Sequence, residues 1–149
     1  MRSLRARPLV LVVEDDPDVL QILRVNLEAA GLDTMLAADG DTAFRRMEEE
    51  RPDAILLDLM LPVMDGWAIL AALTSRADAP PVVVCSARRG DAEIDRATRL
   101  GAFDYVLKPF DPVRVVSAAR RATGLDPIER SLVVPAQRGI GFGEIVPNS

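Results

Sequence analysis

The sequence predicts an α/β fold in which a parallel five-stranded sheet carries helices on both faces. Five short apolar runs alternate along the chain with five segments whose apolar residues recur at helical spacing. The first run is apolar at every position, as expected for a strand that is buried on both faces. Short connections join the segments, which favours right-handed βα units within one sheet.

The first strand and helix are the most strongly marked elements. Leu9–Val13 is the continuous apolar run, and three acids follow it directly. Pro17 suits the first turn of a helix, and apolar residues recur at helical spacing from there to Ala30. Gly31 follows, where a helix needs a residue that tolerates the left-handed conformation. We therefore expect a helix that begins at Pro17 and is ended by Gly31.

The remaining elements repeat this alternation. The predicted strands are 34–38, 54–57, 82–85 and 103–107. The predicted helices are one that is capped by Asp41 and stops at Arg51-Pro52, one from Gly66 to about Arg76, a shorter and more polar one over 91–100 that stops at Gly101, and one over 113–122 before Gly124.

One domain accounts for most of the chain. Residues 8–123 form the predicted domain, residues 1–7 are a basic lead-in without the apolar stretch of a signal peptide, and residues 124–149 are a tail or linker. The tail breaks the alternation of strands and helices, is too short to be a second domain and shows no helix-turn-helix pattern.

Composition narrows the class of function. The 149 residues carry a net charge of -5, which argues against a nucleic-acid-binding surface. The chain has no histidine, which excludes histidine catalysis and histidine metal sites. The single cysteine, Cys85, lies in an apolar run and reads as a buried core residue in a reducing compartment. No apolar run is long enough to span a membrane, so we expect a cytoplasmic protein.

Polar residues stand at the predicted strand ends. Glu14 and Asp15 follow the first strand, Asp58 the third, Ser86 the fourth and Lys108 the fifth. Because the carboxyl ends of parallel strands meet at one edge of the sheet, these residues should share one crevice.

The chemistry of this group points to phosphoryl transfer. The acids Glu14, Asp15 and Asp58 offer only oxygen ligands, which favours a hard cation, and so few carboxylates suit magnesium better than calcium. Lys108 adds an ammonium and Ser86 a hydroxyl, and these groups together can receive a phosphoryl group. Asp58 has the least local support among the acids and is the predicted nucleophile, forming an aspartyl phosphate.

The sequence resembles the receiver domain of two-component response regulators over residues 8–123. The matching segments are Val12-Val-Glu-Asp-Asp-Pro17, Leu57-Asp-Leu-Met-Leu-Pro-Val-Met-Asp-Gly66, Cys85-Ser-Ala87 and Asp104-Tyr-Val-Leu-Lys-Pro-Phe110. The resemblance implies a flavodoxin-like, doubly wound (βα)5 fold with strand order 2-1-3-4-5. It also implies that the protein is a phosphorylated switch in phosphorelay signalling. Such a domain catalyses only its own phosphorylation and dephosphorylation and is otherwise not an enzyme.

The resemblance assigns a role in metal binding to four residues. The acidic pair of the family falls on Glu14 and Asp15, with Asp15 as the direct Mg2+ ligand, and Asp58 is the phosphoacceptor. The backbone carbonyl of Met60 is the third protein ligand. Asp16 lies one place beyond the pair, and we expect it to cap the first helix instead.

The resemblance also assigns a switch. Ser86 matches the switch Ser/Thr, Tyr105 the switch aromatic, and Lys108 the lysine that precedes a cis-type proline, Pro109. Tyr105 on its own would be a core-edge aromatic, and only the resemblance makes it a switch residue. We expect its ring to turn inward beside Ser86 from a more exposed position when Asp58 is phosphorylated.

The implied partners are proteins. Phosphorylation would come from a sensor histidine kinase or a histidine phosphotransfer protein. The output would pass to a downstream effector through the face formed by the fourth helix, fifth strand and fifth helix. A homodimer is possible, but Ala118 stands where many DNA-binding relatives carry a dimerising arginine. The chain is either a stand-alone receiver or a fragment of a larger regulator, without nucleic-acid or membrane binding of its own.

Three other classes of protein share features with this sequence. A haloacid-dehalogenase-like phosphatase needs an acid two places after its nucleophile, where this chain has Met60. A dinucleotide-binding module needs glycines after the first strand, and none is present there. A receiver-like scaffold that works without phosphorylation remains open, because only labelling of the acyl phosphate separates it from a working receiver.

Overall fold

The computed structural model describes residues 6–61 and 64–126, which form five strands and five helices in strict alternation. The strands are β1 (Leu9–Val13), β2 (Asp33–Ala37), β3 (Ala54–Asp58), β4 (Val82–Ser86) and β5 (Asp104–Leu107). The helices are α1 (Pro17–Ala29), α2 (Gly40–Glu49), α3 (Gly66–Thr74), α4 (Asp91–Arg99) and α5 (Pro112–Ala122).

The five strands form one parallel sheet in the order β2-β1-β3-β4-β5. This is the predicted doubly wound order, with β3 at the centre and β2 and β5 at the edges. The order reverses between β1 and β3, which is where open α/β sheets place their ligands. The strand register aligns Val13 with Leu57, and Asp58 with Cys85, so that the carboxyl ends of the central strands are level.

Two apolar layers cover the sheet. Alternate residues of β1 point to opposite faces: Leu9, Leu11 and Val13 pack with α2, α3 and α4, while Val10 and Val12 pack with α1 and α5. All five residues of β1, β3 and β4 are buried, as the continuous apolar runs predicted. This double burial explains why these strands show no polar alternation in the sequence.

Cys85 lies in the second apolar layer and is a free, buried thiol, as predicted. Burial raises the pKa of its thiol to about 12, so the thiolate does not form at neutral pH. A redox role for this cysteine therefore has no support.

Aspartates cap four of the helices, and one predicted cap was wrong. Asp16 caps α1 by accepting hydrogen bonds from the backbone N–H groups of Asp18 and Val19, as predicted. Helix α2 is capped by Asp39, which accepts from Thr42 N at 2.7 Å, whereas Asp41 lies in its first turn. Both aspartates suit a helix start, and the end of β2 at Ala37 selects the earlier one.

Other boundaries differ from the prediction by one or two residues. Helix α3 ends at Thr74 rather than near Arg76, and the Thr74 hydroxyl donates to the carbonyl of Leu100, the residue that caps the carboxyl end of α4, at 2.6 Å. Strand β2 begins at Asp33, one residue early. Gly31 adopts a φ of +96°, the left-handed conformation that was expected after α1.

Gly66 fixes the loop between β3 and α3 by close packing. A Cβ atom at this position would overlap the backbone of Leu59, one residue after Asp58. The first residue of α3 therefore lies directly against the segment that carries the predicted phosphoacceptor. Asp65 caps the helix by accepting from Trp67 N at 3.0 Å.

Both ends of the described chain are tied to the domain. Arg7 donates to the carbonyls of Glu28 and Leu32 and pairs with Asp33. Arg120 forms two hydrogen bonds of 2.8 Å with Asp126. The rest of the predicted lead-in (1–5) and tail (127–149) lies outside the described residues. Among the residues that the structure describes, no helix combines the length and the apolarity needed to cross a bilayer.

Candidate functional site at the carboxyl edge of the sheet

The site forms where four parallel strands end. Glu14 directly follows β1 and extends its ladder, because its N–H donates to Ala37 O at 3.0 Å. Asp58 and Ser86 are the last residues of β3 and β4. Lys108 follows β5, and its N–H donates to Ser86 O at 2.8 Å. The sheet thus brings together residues that are far apart in the sequence, as the strand-end pattern predicted.

The Lys108 ammonium joins two buried carboxylates. Its Nζ lies 2.7 Å from Glu14 Oε1 and 3.2 Å from Asp58 Oδ2. The side chains of Glu14 and Asp58 are each 4% exposed and that of Lys108 is 22% exposed. The lysine reaches this position from an edge strand, so its head group lies over the ends of β1 and β3. One ammonium therefore serves two carboxylates that have little access to water.

A third carboxylate adds to the negative charge of the site. Glu14, Asp15 and Asp58 each place a ligand oxygen within 4.8 Å of the others, with Asp15 exposed and the other two buried. Three carboxylates against the Lys108 ammonium leave a formal charge of -2 at this point, because -3 and +1 sum to -2. Hard oxygen donors with uncompensated charge fit a magnesium ion. The donor set thus agrees with the predicted cofactor.

Hydrogen bonds direct Glu14 into the crevice and Asp16 to the start of α1. Glu14 Oε2 accepts from Asp16 N at 3.1 Å, which holds the carboxylate toward the crevice. The Asp16 side chain caps α1 instead and lies outside the carboxylate cluster. The run Glu14-Asp15-Asp16 therefore divides into two residues of the crevice and one of the helix.

The pKa values of Glu14 and Lys108 are both raised, for different reasons. Burial raises the pKa of Glu14, and the negative charge of Asp58 adds to this, against the lowering by the Lys108 and Asp16 hydrogen bonds. Burial alone would lower the pKa of Lys108, but its bond to Glu14 and the charges of both acids raise it overall. The lysine is thus firmly protonated, while Glu14 ionises less readily than a free glutamate.

Asp58 is held at both oxygens. Its Oδ1 accepts from Met60 N at 2.9 Å, and its Oδ2 faces Lys108. The Met60 side chain is 52% exposed, and its Sδ lies 3.3 Å from Arg88 Nε. The carboxylate is therefore fixed from the loop after β3 and from the end of β5, while Met60 and Arg88 form the exposed rim above it.

Ser86 and Tyr105 contact the same residue, Arg88. The fully buried Ser86 accepts from Arg88 N at 3.1 Å through its Oγ, and the Tyr105 hydroxyl donates to Arg88 O at 2.9 Å. Arg88 was not among the predicted site residues. Serine side chains often accept a hydrogen bond from the backbone N–H two residues further along the chain, in a turn. The position of Arg88, two residues after Ser86, could therefore have identified it from the sequence.

Tyr105 lies at the edge of the first apolar layer, and its expected inward turn on phosphorylation stays a prediction. Its ring is half-buried and packs against the first apolar layer. The hydroxyl finds an acceptor at Arg88 while the ring leaves water, which favours this placement. The Lys108–Pro109 peptide bond is cis, as the resemblance implied.

Arginines on α5 bind β5 from within the domain. Asp104 pairs with Arg114 at 3.2 Å and with Arg121 at 3.1 Å. Burial opposes ionisation of Asp104, but the two arginines lower its pKa overall. Ala118 lies on the fully buried side of α5, at the position where many DNA-binding relatives carry a dimerising arginine. Ion pairs within the chain therefore join β5 and α5, two of the three elements of the predicted output face.

The chain is similar to proteins of known family. The model of the response regulator receiver domain matches residues 10–120. The DNA-binding response regulator MtrA of Mycolicibacterium smegmatis is 40% identical over 121 residues, which cover 80% of this chain and 51% of MtrA. The alkaline phosphatase synthesis transcriptional regulatory protein PhoP of Bacillus subtilis is 39% identical over 115 residues, covering 76% of this chain and 47% of PhoP. The chain thus spans about half the length of these relatives.

Solved structures agree in fold. The receiver domain of the Francisella response regulator 1452 has a TM-score of 0.75 at 28% identity, covering 80% of this chain and 98% of that one. The chemotaxis protein CheY4 of Vibrio cholerae has a TM-score of 0.72 at 27% identity, covering 78% of this chain and 99% of that one.

Proposed function

The chain belongs to the response regulator receiver domain family of two-component systems, and from this premise we propose that it accepts a phosphoryl group on Asp58 in a magnesium-dependent reaction. The observation that carries the proposal is the position of Lys108, whose ammonium contacts both Glu14 and Asp58. This group of charges is suited to hold a phosphoryl group against a carboxylate.

In the proposed reaction, a carboxylate oxygen of Asp58 forms a bond to the phosphorus of a phosphohistidine. The phosphorus–nitrogen bond breaks, and the imidazole nitrogen keeps the electron pair and takes up a proton from water. The donor is a sensor histidine kinase or a histidine phosphotransfer protein, since this chain has no histidine of its own. Such a transfer depends on positioning and on neutralising charge rather than on further covalent chemistry.

The residues of the crevice have separate tasks in this proposal. Glu14, Asp15, Asp58 and the backbone carbonyl of Met60 would hold Mg2+, which neutralises charge on the carboxylates and on the phosphoryl oxygens. Lys108 pairs with one phosphoryl oxygen. These tasks agree with the buried charges and the carboxylate cluster.

We propose that Ser86 transmits phosphorylation through Arg88. The Ser86 oxygen accepts from Arg88 N, and its O–H is a donor that a phosphoryl oxygen can attract. Movement of Ser86 toward the phosphoryl group displaces the Arg88 backbone, to which the Tyr105 hydroxyl is bonded. The face of α4, β5 and α5 then changes through a population shift, which a downstream protein effector reads.

The domain limits and partners complete the proposal. We assign residues 8–123 to the receiver, supported by the family match over 10–120 and by the observed span from β1 to α5. We assign residues 124–149 to a C-terminal tail or linker. The relatives include DNA-binding regulators of about twice the matched length, so this chain acts either alone or as the receiver part of such a regulator, with homodimerisation as one way to act.

Labelling tests the phosphoacceptor directly. The full chain is incubated with phosphoramidate and magnesium, and its intact mass is measured. We expect the mass of one phosphoryl group to be added and to disappear after treatment with hydroxylamine. The same incubation with EDTA should give little product. No addition in the parent chain would favour a receiver-like scaffold that works without phosphorylation.

Two Asp-to-Asn variants provide the control. Asp58→Asn should gain no mass, whereas Asp65→Asn, which alters an exposed helix cap, should be labelled like the parent. Labelling of Asp58→Asn to the same level as the parent would show that the acceptor is another residue.

A further inference from the structure

The outer side of α1 carries an apolar stripe. Ile22 is 48% exposed and Val25 is 53% exposed, and the small residue Ala29 continues the line one turn later. The opposite side of the helix, with Leu23 and Leu27, is buried against the sheet. We call Ile22, Val25 and Ala29 the α1 outer stripe. Single exposed apolar residues are common, but neighbours in line on one helix face mark a surface that can be covered.

The described chain ends beside this stripe. The Arg120 guanidinium binds Asp126 through two nitrogens and donates through the third to the carbonyl of Ala30, at the carboxyl end of α1. Leu125 is 37% exposed, and its Cδ2 would lie 3.7 Å from a Cβ placed on Gly31. The described part of the chain therefore ends with this Arg120–Asp126 clasp, beside the carboxyl end of α1 and close to the α1 outer stripe.

The next residues carry a matching apolar segment. Leu132-Val133-Val134 begins six positions after Asp126 and is bounded by Ser131 and Pro135. Six extended residues span about 20 Å. The distance along α1 from Ala29 to Ile22 is about 10 Å, because a helix rises 1.5 Å per residue. The segment thus reaches the whole stripe without strain on the clasp.

We propose that Leu132-Val133-Val134 packs on the α1 outer stripe of the same molecule. Burial of the Ile22 and Val25 side chains drives the contact, and the Arg120–Asp126 clasp raises the local concentration of the segment at this face. The tail then shields α1 from other proteins, and a partner that binds this face has to displace it. The 23 residues after Asp126 are ample for this contact.

Paramagnetic labelling of the full chain tests the proposal. A nitroxide is attached to Gln137→Cys, just beyond the apolar segment; the native Cys85 is buried and does not react. We expect selective loss of the amide signals of residues 18–29 in an isotopically labelled chain. The matched control carries the same label with Leu132→Ser, Val133→Ser and Val134→Ser, and these signals should return in it. Equal signal loss in both chains, or loss centred on another face, would overturn the proposal.

Two further samples complete the test. Ile22→Ser with Val25→Ser removes the stripe from the exposed side of α1 and should also restore the signals of the remaining residues of that helix. A mixture of a nitroxide-bearing chain without isotope and an isotopically labelled chain without nitroxide detects contact between molecules. Signal loss in residues 18–29 of the mixture would identify a second copy as the occupant and would refute docking within one molecule.

Discussion

Replacing Lys108 by methionine should destabilise the domain strongly, because it removes the only ammonium in contact with both Glu14 and Asp58 in the described part of the chain. Methionine keeps most of the side-chain length, so packing changes little. The two carboxylates, each 4% exposed, then face each other without a cation. Breaking a buried ion pair in this way costs about 3–5 kcal/mol. Because Lys108 itself is 22% exposed, we expect the low end, about 3 kcal/mol.

The loss should depend on pH in a defined direction. The pKa of Glu14 is already raised by burial, and loss of the ammonium raises it further. Between the unfolded and the folded pKa, the folded state binds more protons, so the free energy of unfolding falls as the pH rises through this window. The Lys108→Met variant should therefore regain stability as the pH is lowered from 7 to 5, by about 1.4 kcal/mol for each unit by which the pKa rises.

Urea unfolding in EDTA at pH 7 and at pH 5 measures both effects. Arg114→Met is the matched control, since Arg114 is 46% exposed and Asp104 retains Arg121. Its cost should stay below about 1 kcal/mol and change little between the two pH values. Adding Glu14→Gln to Lys108→Met should recover stability at pH 7, because one of the opposed charges is removed. A cost for Lys108→Met as small as that of the control, with no dependence on pH, would refute the electrostatic reasoning.

Three further predictions concern the metal, the switch and the loop. Millimolar magnesium should raise the melting temperature of the domain, because the ion binds the folded state. Asp15→Ala should remove most of this rise, whereas Asp16→Ala, which alters only the cap of α1, should leave it intact. Equal losses in the two variants would mean that Asp15 is wrongly assigned as the metal ligand. Ser86→Ala should still be phosphorylated. With beryllofluoride as a mimic of the phosphoryl group, however, its amide chemical shifts over residues 86–110 should differ from those of the parent chain. Identical shifts in the two proteins would exclude Ser86 from the switch. Gly66→Ala should destabilise by about 1–3 kcal/mol in urea, because its Cβ would overlap the Leu59 backbone, and an unchanged midpoint would contradict that packing.

The sheet and the site residues were predictable for one physical reason. A strand that is buried on both faces must be apolar throughout, so each charged residue at its end is conspicuous. The run at Leu9–Val13 followed by Glu14 and the single Asp58 after an apolar segment both follow this rule. Sequence therefore located the elements and the edge at which their polar ends meet.

Contacts that depend on distant parts of the chain were not predictable. That Lys108 is shared between Glu14 and Asp58 follows only from the packed sheet, since these partners lie 94 and 50 positions away. The half-buried position of Tyr105 depends on the Arg88 carbonyl, which accepts from its hydroxyl and whose location is set by the loop after β4. Local sequence gives no information on where such a carbonyl lies.

Glycine and aspartate signals were ambiguous for a related reason. Asp65-Gly66 is an ordinary turn dipeptide in the sequence, and only the fold shows that the Leu59 backbone occupies the space beside the glycine. Asp39 and Asp41 are both suitable caps, and the choice between them is made by the end of β2. Tertiary packing decides between options that local propensity leaves equal.

The placement of the lysine on the last strand also has a consequence during synthesis. Glu14 and Asp58 leave the ribosome before Lys108, so their two carboxylates lack this ammonium until the end of β5 has been synthesised. Domains generally fold as units, and the sheet of this one is complete only when the edge strand β5 has joined β4. A nascent or truncated chain without β5 therefore has the acids but not the ammonium of Lys108, and the proposed phosphoryl acceptance would require the finished domain.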